Sequence, residues 1–161
     1  MTVTNVDKDF DALSLTLVAE FDAPVERVWQ LFADPRQLER WWGPPGWPAT
    51  VEQHELTPGG QVTYYMTGPD GQKSSGWWRI AAVEPPRALE FTDGFAGADG
   101  TPNTDSKVTT VRIRLTEREA GTRMEMRSVF SSREHMDWIV DMGAVEAYQQ
   151  SVGQMDAILA P

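Results

Sequence analysis

Residues 21–42, FDAPVERVWQLFADPRQLERWW, constrain the fold more than any other part of this chain. Just before them, Leu13, Leu15, Leu17, Ala19 and Phe21 alternate with Ser14, Thr16, Val18 and Glu20. Period two with one apolar face reads as a half-buried strand. Asp22 is placed to cap a helix, and Pro24 suits a first helical turn. Val25, Val28, Trp29 and Phe32 then mark one helical face. Asp34-Pro35 breaks that helix and starts a second, which carries Leu38, Trp41 and Trp42 and stops at Gly43-Pro44-Pro45-Gly46. One strand followed at once by two short helices calls for a sheet that wraps around something.

The remaining chain supplies that sheet. Strands are expected over residues 49–56, 61–67, 76–84, 87–93, 107–117 and 122–130, separated by Thr57-Pro58-Gly59-Gly60, Gly68-Pro69-Asp70-Gly71, Pro85-Pro86, a loop over 94–105 and Glu119-Ala120-Gly121. Short turns imply antiparallel neighbours. The 94–106 stretch is the expected mobile segment. Ser131 or Ser132 is set to cap a last helix. Trp138, Met142, Val145, Val152, Met155 and Leu159 then recur at helical spacing as one apolar stripe. The order β-α-α-β-β-β-β-β-β-α predicts an α+β fold: a curved seven-stranded antiparallel sheet around a long C-terminal helix, with two short helices between strands one and two. At 161 residues the whole chain, 1–161, is expected to form a single domain with its core over about 12–160.

Composition narrows the function classes. Fourteen basic against 24 acidic residues give a formal charge of −10, which argues against nucleic acid and anionic membranes as partners. There is no cysteine, so thiolate chemistry and disulfides are excluded. Only two histidines, His54 and His135, argue against a metal site, and both are expected at the surface. No stretch has the length of a membrane span and residues 1–10 hold no apolar signal core, so the expected compartment is cytoplasmic. Seven tryptophans and seven methionines are the material of a core or of an adaptable apolar pocket.

Several words in this order resemble one known family. They are Ala23-Pro24-Val25-Glu26-Arg27-Val28-Trp29, Leu38-Glu39-Arg40-Trp41-Trp42-Gly43-Pro44, Leu56-Thr57-Pro58-Gly59-Gly60 and Val83-Glu84-Pro85-Pro86-Arg87-Ala88-Leu89, with the tail GAVEAYQQSVGQMDAIL over 143–159. On these words the chain resembles the activator of heat-shock-protein-90 ATPase homologue-like family of the START-like superfamily. That resemblance implies the helix-grip architecture, with a cavity between sheet and helix. It also implies binding of a hydrophobic or aromatic small molecule, related to stress response. Two other functions follow from it: a cavity-based enzyme, cyclase-like or of another acid–base kind, and a co-chaperone-like interaction module. No cofactor is implied.

Strand parity within such a cavity selects the side chains expected to meet a ligand. They are Tyr64 and Met66 on the third strand, Trp78 and Ile80 on the fourth, and Phe91 on the fifth. Val111 and Ile113 follow on the sixth, and Met126 and Phe130 on the seventh. Trp138, Met142 and Gln149 are expected to face in from the helix. Tyr64, Asp93 and Glu146 are the candidate acid–base groups, although Asp93-Gly94 also reads as a solvated turn. In each of the pairs Trp41-Trp42 and Trp77-Trp78, one ring is expected in the core and the other outside or at the pocket rim. With residues 43–47, these rings are expected to form an entrance or a homodimer patch.

Overall fold

The computed structural model describes residues 3–96, 108–119 and 121–160. Most of the loop expected over 94–105, with its mobility, lies outside the described residues, as does Ala120 of the second hairpin. The elements run β1 (Val3–Asp9), β2 (Ser14–Phe21), α1 (Val25–Ala33), α2 (Pro35–Trp41), β3 (Ala49–His54), β4 (Gln61–Thr67), β5 (Lys73–Glu84), β6 (Ala88–Phe95), β7 (Thr109–Arg118), β8 (Gly121–Phe130), α3 (Arg133–Asp141), α4 (Ala144–Gly153) and α5 (Met155–Leu159). All strands join one antiparallel sheet in the order β1-β2-β8-β7-β6-β5-β4-β3.

Among the described residues the sheet has eight strands where seven were expected. The extra one, β1, is an edge strand of sequence VTNVDKD with no fully buried residue. Mostly polar, it gives no clean alternation to read; pairing with β2 and the packing of Val3 and Val6 against the core hold it. Bulges interrupt β3 and β5, and bulges bend strands. The one in β5 resets the parity expected there. Ile80 is buried, but Ala82 turns out to solvent and Val83 packs inward.

Backbone accounting explains the two small helices. Pro24, not Asp22, occupies the α1 N-cap and makes no side-chain cap bond. Asp34 caps α2 by accepting the Arg36 N–H. Pro35 has no N–H to give the Leu31 carbonyl four residues back. The Trp41 indole N–H takes that place, 2.8 Å from the Leu31 oxygen. The next carbonyl, Phe32, is met by Nε2 of His54 at 2.9 Å. Tertiary contacts thus close the end of α1, which is how the helix pair is fixed against β3.

The expected single C-terminal helix is three pieces. Gly143 has φ +82°, a left-handed conformation that suits glycine and ends α3. A second break follows Gly153. Ser132 caps α3 by accepting the His135 N–H at 3.0 Å. His135 itself is buried, against expectation, with Nδ1 3.0 Å from the Ser131 hydroxyl and its ring edge-on to Phe130. Residues of α4 and its end dock on the α2 terminus. Gln154 donates to the Gly43 and Trp41 carbonyls, and the Ser151 hydroxyl donates to that of Trp42. Arg27 of α1 donates to the Ile158 carbonyl at 2.9 Å, which secures α5.

Glycine positions give a paired test of this packing. A Cβ at Gly121 would overlap the Phe21 carbonyl oxygen, a backbone atom that cannot step aside. Gly121→Ala is expected to cost about 1–3 kcal/mol, the usual range for overpacking. Gly153 ends α4 with no atom within 4 Å of such a Cβ. Gly153→Ala is expected to stabilise by about 0.4–1 kcal/mol. Urea denaturation of both variants measures the pair; equal effects would contradict the packing described.

Candidate functional site

Between α4 and the sheet lies a pocket of about 230 Å³. From the sheet, Tyr64, Met66, Asp93, Phe95 and Met126 line it. From the helical side come Ile139, Met142, Gly143, Ala144, Ala147, Tyr148, Ser151 and Val152, and Trp41, Trp42 and Pro44 close one end. The walls are mostly apolar, and none of these lining residues is a lysine, arginine or histidine.

The pocket's polar floor is a pair two strands apart. Tyr64 on β4 donates its hydroxyl to Oδ1 of Asp93 on β6 at 3.0 Å. Gly76 makes the reach possible. It pairs with Tyr64 across β5, and a Cβ there would occupy the space of the tyrosine ring. Next to Asp93, Gly94 serves similarly: a Cβ would lie 2.7 Å from the Trp77 indole that crosses it. The Asp93-Gly94 turn signal is therefore overridden, and both residues belong to β6.

Electrostatics at this floor follow from burial. Asp93 is half-buried by area, and the surface it leaves open faces the pocket rather than bulk water. Desolvation pushes its carboxyl up to about 7, against the Tyr64 hydrogen bond and a Gly94 backbone bond that pull it down. Burial, and then the charge of Asp93, holds the Tyr64 hydroxyl well above its ordinary range. Tyr148 is raised by the same two causes. The Trp42 indole N–H is buried next to the Tyr64 hydroxyl, yet it makes no hydrogen bond among the described residues. A smaller chamber of about 40 Å³ continues past the pair, between Thr109, Ile139 and Tyr148.

The expected site residues divide. Tyr64, Met66, Met126 and Met142 line the pocket. Trp78, Ile80, Phe91, Val111 and Ile113 belong instead to the filled core. Phe130 sits in a second cluster with Leu15, Met136, Ile139 and Val145. Trp138 is 36% exposed and packs edge-on to Phe95 rather than into the pocket. Gln149 and Glu146 are not among the lining residues, and Glu146 is exposed, so it does not converge with Tyr64 and Asp93. Tyr148 takes the inward place given to Gln149, because the stripe was phased across a helix that Gly143 interrupts.

The tryptophan pairs also need correction. Trp41, Trp42, Trp77 and Trp78 are all buried, so neither pair offers an outward ring. Trp42 is a pocket wall and touches Trp41, Tyr64, Trp78 and Phe91 with ring contacts. Its burial removes the main indole of the expected dimer patch. Among the described residues no three histidines or carboxylates are grouped to hold a metal ion. No described helix is long and apolar enough to cross a membrane.

An antiparallel sheet that holds a C-terminal helical segment, with a pocket between them and two short helices at one end, is the helix-grip architecture of START-like proteins. Residues 22–160 match the family described as activator of Hsp90 ATPase homolog 1-like protein, and the chain belongs to that family. A protein of Mycobacterium smegmatis of known crystal structure is 51% identical over 98% of this chain and 97% of its own, with TM-score 0.90. An Arthrobacter aurescens protein solved by NMR is 52% identical over 99% of this chain and 92% of its own, with TM-score 0.94. A Rhodobacter sphaeroides protein shares the fold at 24% identity, covering 99% of both chains with TM-score 0.85. No curated protein matches the chain.

Proposed function

We propose that this chain works as one domain that binds a small, neutral, ring-containing molecule in the pocket between α4 and the sheet. The observation that carries this reading is the pocket itself: apolar walls around one hydrogen-bonded polar pair, Tyr64 and Asp93. Apolar walls with a few fixed polar groups are the usual make-up of a small-molecule site. An engineered apolar cavity of about 150 Å³ takes benzene, so this pocket of about 230 Å³ has room for a fused two-ring group. With Asp93 at the floor and no cationic side chain among the lining residues, an anionic ligand is disfavoured. The stress-related setting that the family resemblance implies and the cytoplasmic one expected from the sequence belong to the same proposal.

Tryptophan fluorescence tests it, because Trp41 and Trp42 stand in the wall. Neutral aromatic compounds are expected to quench it saturably. Ala147→Phe, which places a ring where α4 lines the pocket, is expected to weaken binding at least about tenfold with little loss of stability. Binding that ignores the Ala147→Phe change would place the ligand elsewhere.

One observation favours a second reading. A carboxyl that titrates near 7 and is held by a tyrosine within a pocket is suited to general-base work. In this reading Asp93 takes a proton from the bound molecule and Tyr64 positions the carboxylate. A turnover rate that rises through pH 7 and is lost in Asp93→Asn separates this from simple binding.

A further inference from the structure

The three large apolar side chains that stand exposed among the described residues are Phe95 at 40%, Trp138 at 36% and Met142 at 54%. They are not scattered. Phe95 and Met142 both line the pocket. Trp138 meets Phe95 edge-on with ring centres 5.8 Å apart. Met142 follows Trp138 by four residues, with its N–H bonded to the Trp138 carbonyl, so the two lie on one helical face. A contiguous exposed apolar patch at the mouth of an apolar pocket marks a contact surface.

The patch is also built rigidly. The Phe95 carbonyl accepts the Trp77 indole N–H at 2.8 Å, which ties the end of β6 to β5. Trp138 is wedged between Phe95 and the ring of buried His135, 6.3 Å away. Aromatic rings already held in place lose little freedom when a ligand arrives, which favours binding.

We infer that Phe95, Trp138 and Met142 form an outer subsite, and that the ligand is longer than the pocket, with a second apolar part lying across the mouth against these rings. This rests on the pocket-binding reading above. It sets the ligand class as a two-part molecule: a compact ring head inside and a further ring or short apolar arm outside. Continuity decides for ligand over partner protein, since two of the three residues wall the pocket and the patch in common.

The test compares two neutral fluorescent probes on the full chain, 1-naphthylamine and N-phenyl-1-naphthylamine, which differ by one ring. Wild type is expected to bind the phenyl compound about tenfold more tightly, the upper range for one ring set edge-on against an aromatic pair. In the double variant Phe95→Ser, Trp138→Ser that advantage is expected to shrink to about threefold or less, because the phenyl compound loses more affinity than naphthylamine, which meets Phe95 only as one part of the pocket wall. Phe95→Ser alone gives an intermediate loss and guards against a folding defect in the double variant. An advantage that survives the double variant, or is absent in wild type while naphthylamine binds, overturns the subsite alone. Failure of both probes on wild type overturns the pocket reading and the subsite with it. A shift in sedimentation on making the double variant would assign the patch to a contact between two copies, also against the proposal.

Discussion

Asp93→Asn is expected to stabilise this protein above neutral pH and to leave its stability near pH 4 almost unchanged. An unfolded aspartate loses its proton near its ordinary value of 3.8, whereas the folded carboxyl keeps it to about 7. Between those limits the folded state holds a proton that the unfolded chain has released. Rising pH therefore favours unfolding across that window. Each pH unit is worth about 1.36 kcal/mol, so the interval from 3.8 to about 7 sets a ceiling of about 4 kcal/mol. Water entering at the pocket mouth lowers the realised cost, and the lost Gly94 backbone bond offsets part of the gain. The net expectation for the asparagine variant at pH 8 is about 1–3 kcal/mol of added stability.

Urea midpoints for both proteins at pH 4.5, 6 and 8 provide the measurement. Taking the difference between them cancels every other titrating group. Parallel curves would mean that Asp93 is solvated and of ordinary acidity, and the pocket floor as described would be wrong. Tyr64→Phe sharpens the result. It removes a hydrogen bond that holds the charged form, so the window should extend further upward in pH. A carboxylate kept at a cost in stability fits the role proposed for Asp93 at the pocket floor. Asp93→Asn, which cannot titrate, is therefore expected to make the proposed ligand binding independent of pH between about 6 and 8.

Much of this arrangement is legible in the chain, and the places where legibility ends have causes. The strand before Asp22, the two helices after it and the meander beyond are set by local patterns strong enough to survive packing. Tyr64 and Asp93 are singled out by parity, and they do meet. Parity does not show what lets them meet, which is Gly76, a residue with no side chain to draw notice. The β1 strand leaves no pattern because neither of its faces is deeply buried. The inward face of the C-terminal segment fails for a different reason. Periodicity assumes a continuous helix, and the left-handed turn at Gly143 restarts the phase. Trp138 is thereby turned outward onto Phe95, while Ile139 and Tyr148 take the pocket. That both histidines serve the backbone near helix ends is equally invisible in sequence: His54 answers a carbonyl 22 residues away, and Nδ1 of His135 accepts the Ser131 N–H.

The buried tryptophans separate two roles that composition alone merges. Trp78 is 0% exposed, stacked on Phe91 at 3.9 Å, and its indole N–H has no hydrogen-bond partner among the described residues. Trp41 is equally enclosed, but its N–H serves the Leu31 carbonyl that Pro35 cannot reach. Trp78→Ala removes a large ring from the middle of the core and is expected to cost about 3–5 kcal/mol. Phenylalanine substitutions then divide the two sites. Trp78→Phe leaves a smaller cavity and also removes an unpaired buried donor, whose desolvation costs about 1–3 kcal/mol. The two effects oppose each other, and the net loss is expected to stay below about 1.5 kcal/mol. Trp41→Phe makes a similar cavity but strands the Leu31 carbonyl, so both effects destabilise. It is expected to cost about 2 kcal/mol more than Trp78→Phe. Thermal or urea unfolding of the two variants decides it. Equal losses would mean that the Trp41 bond contributes nothing, or that water satisfies the Trp78 indole, and the accounting at the end of α1 would have to be redrawn.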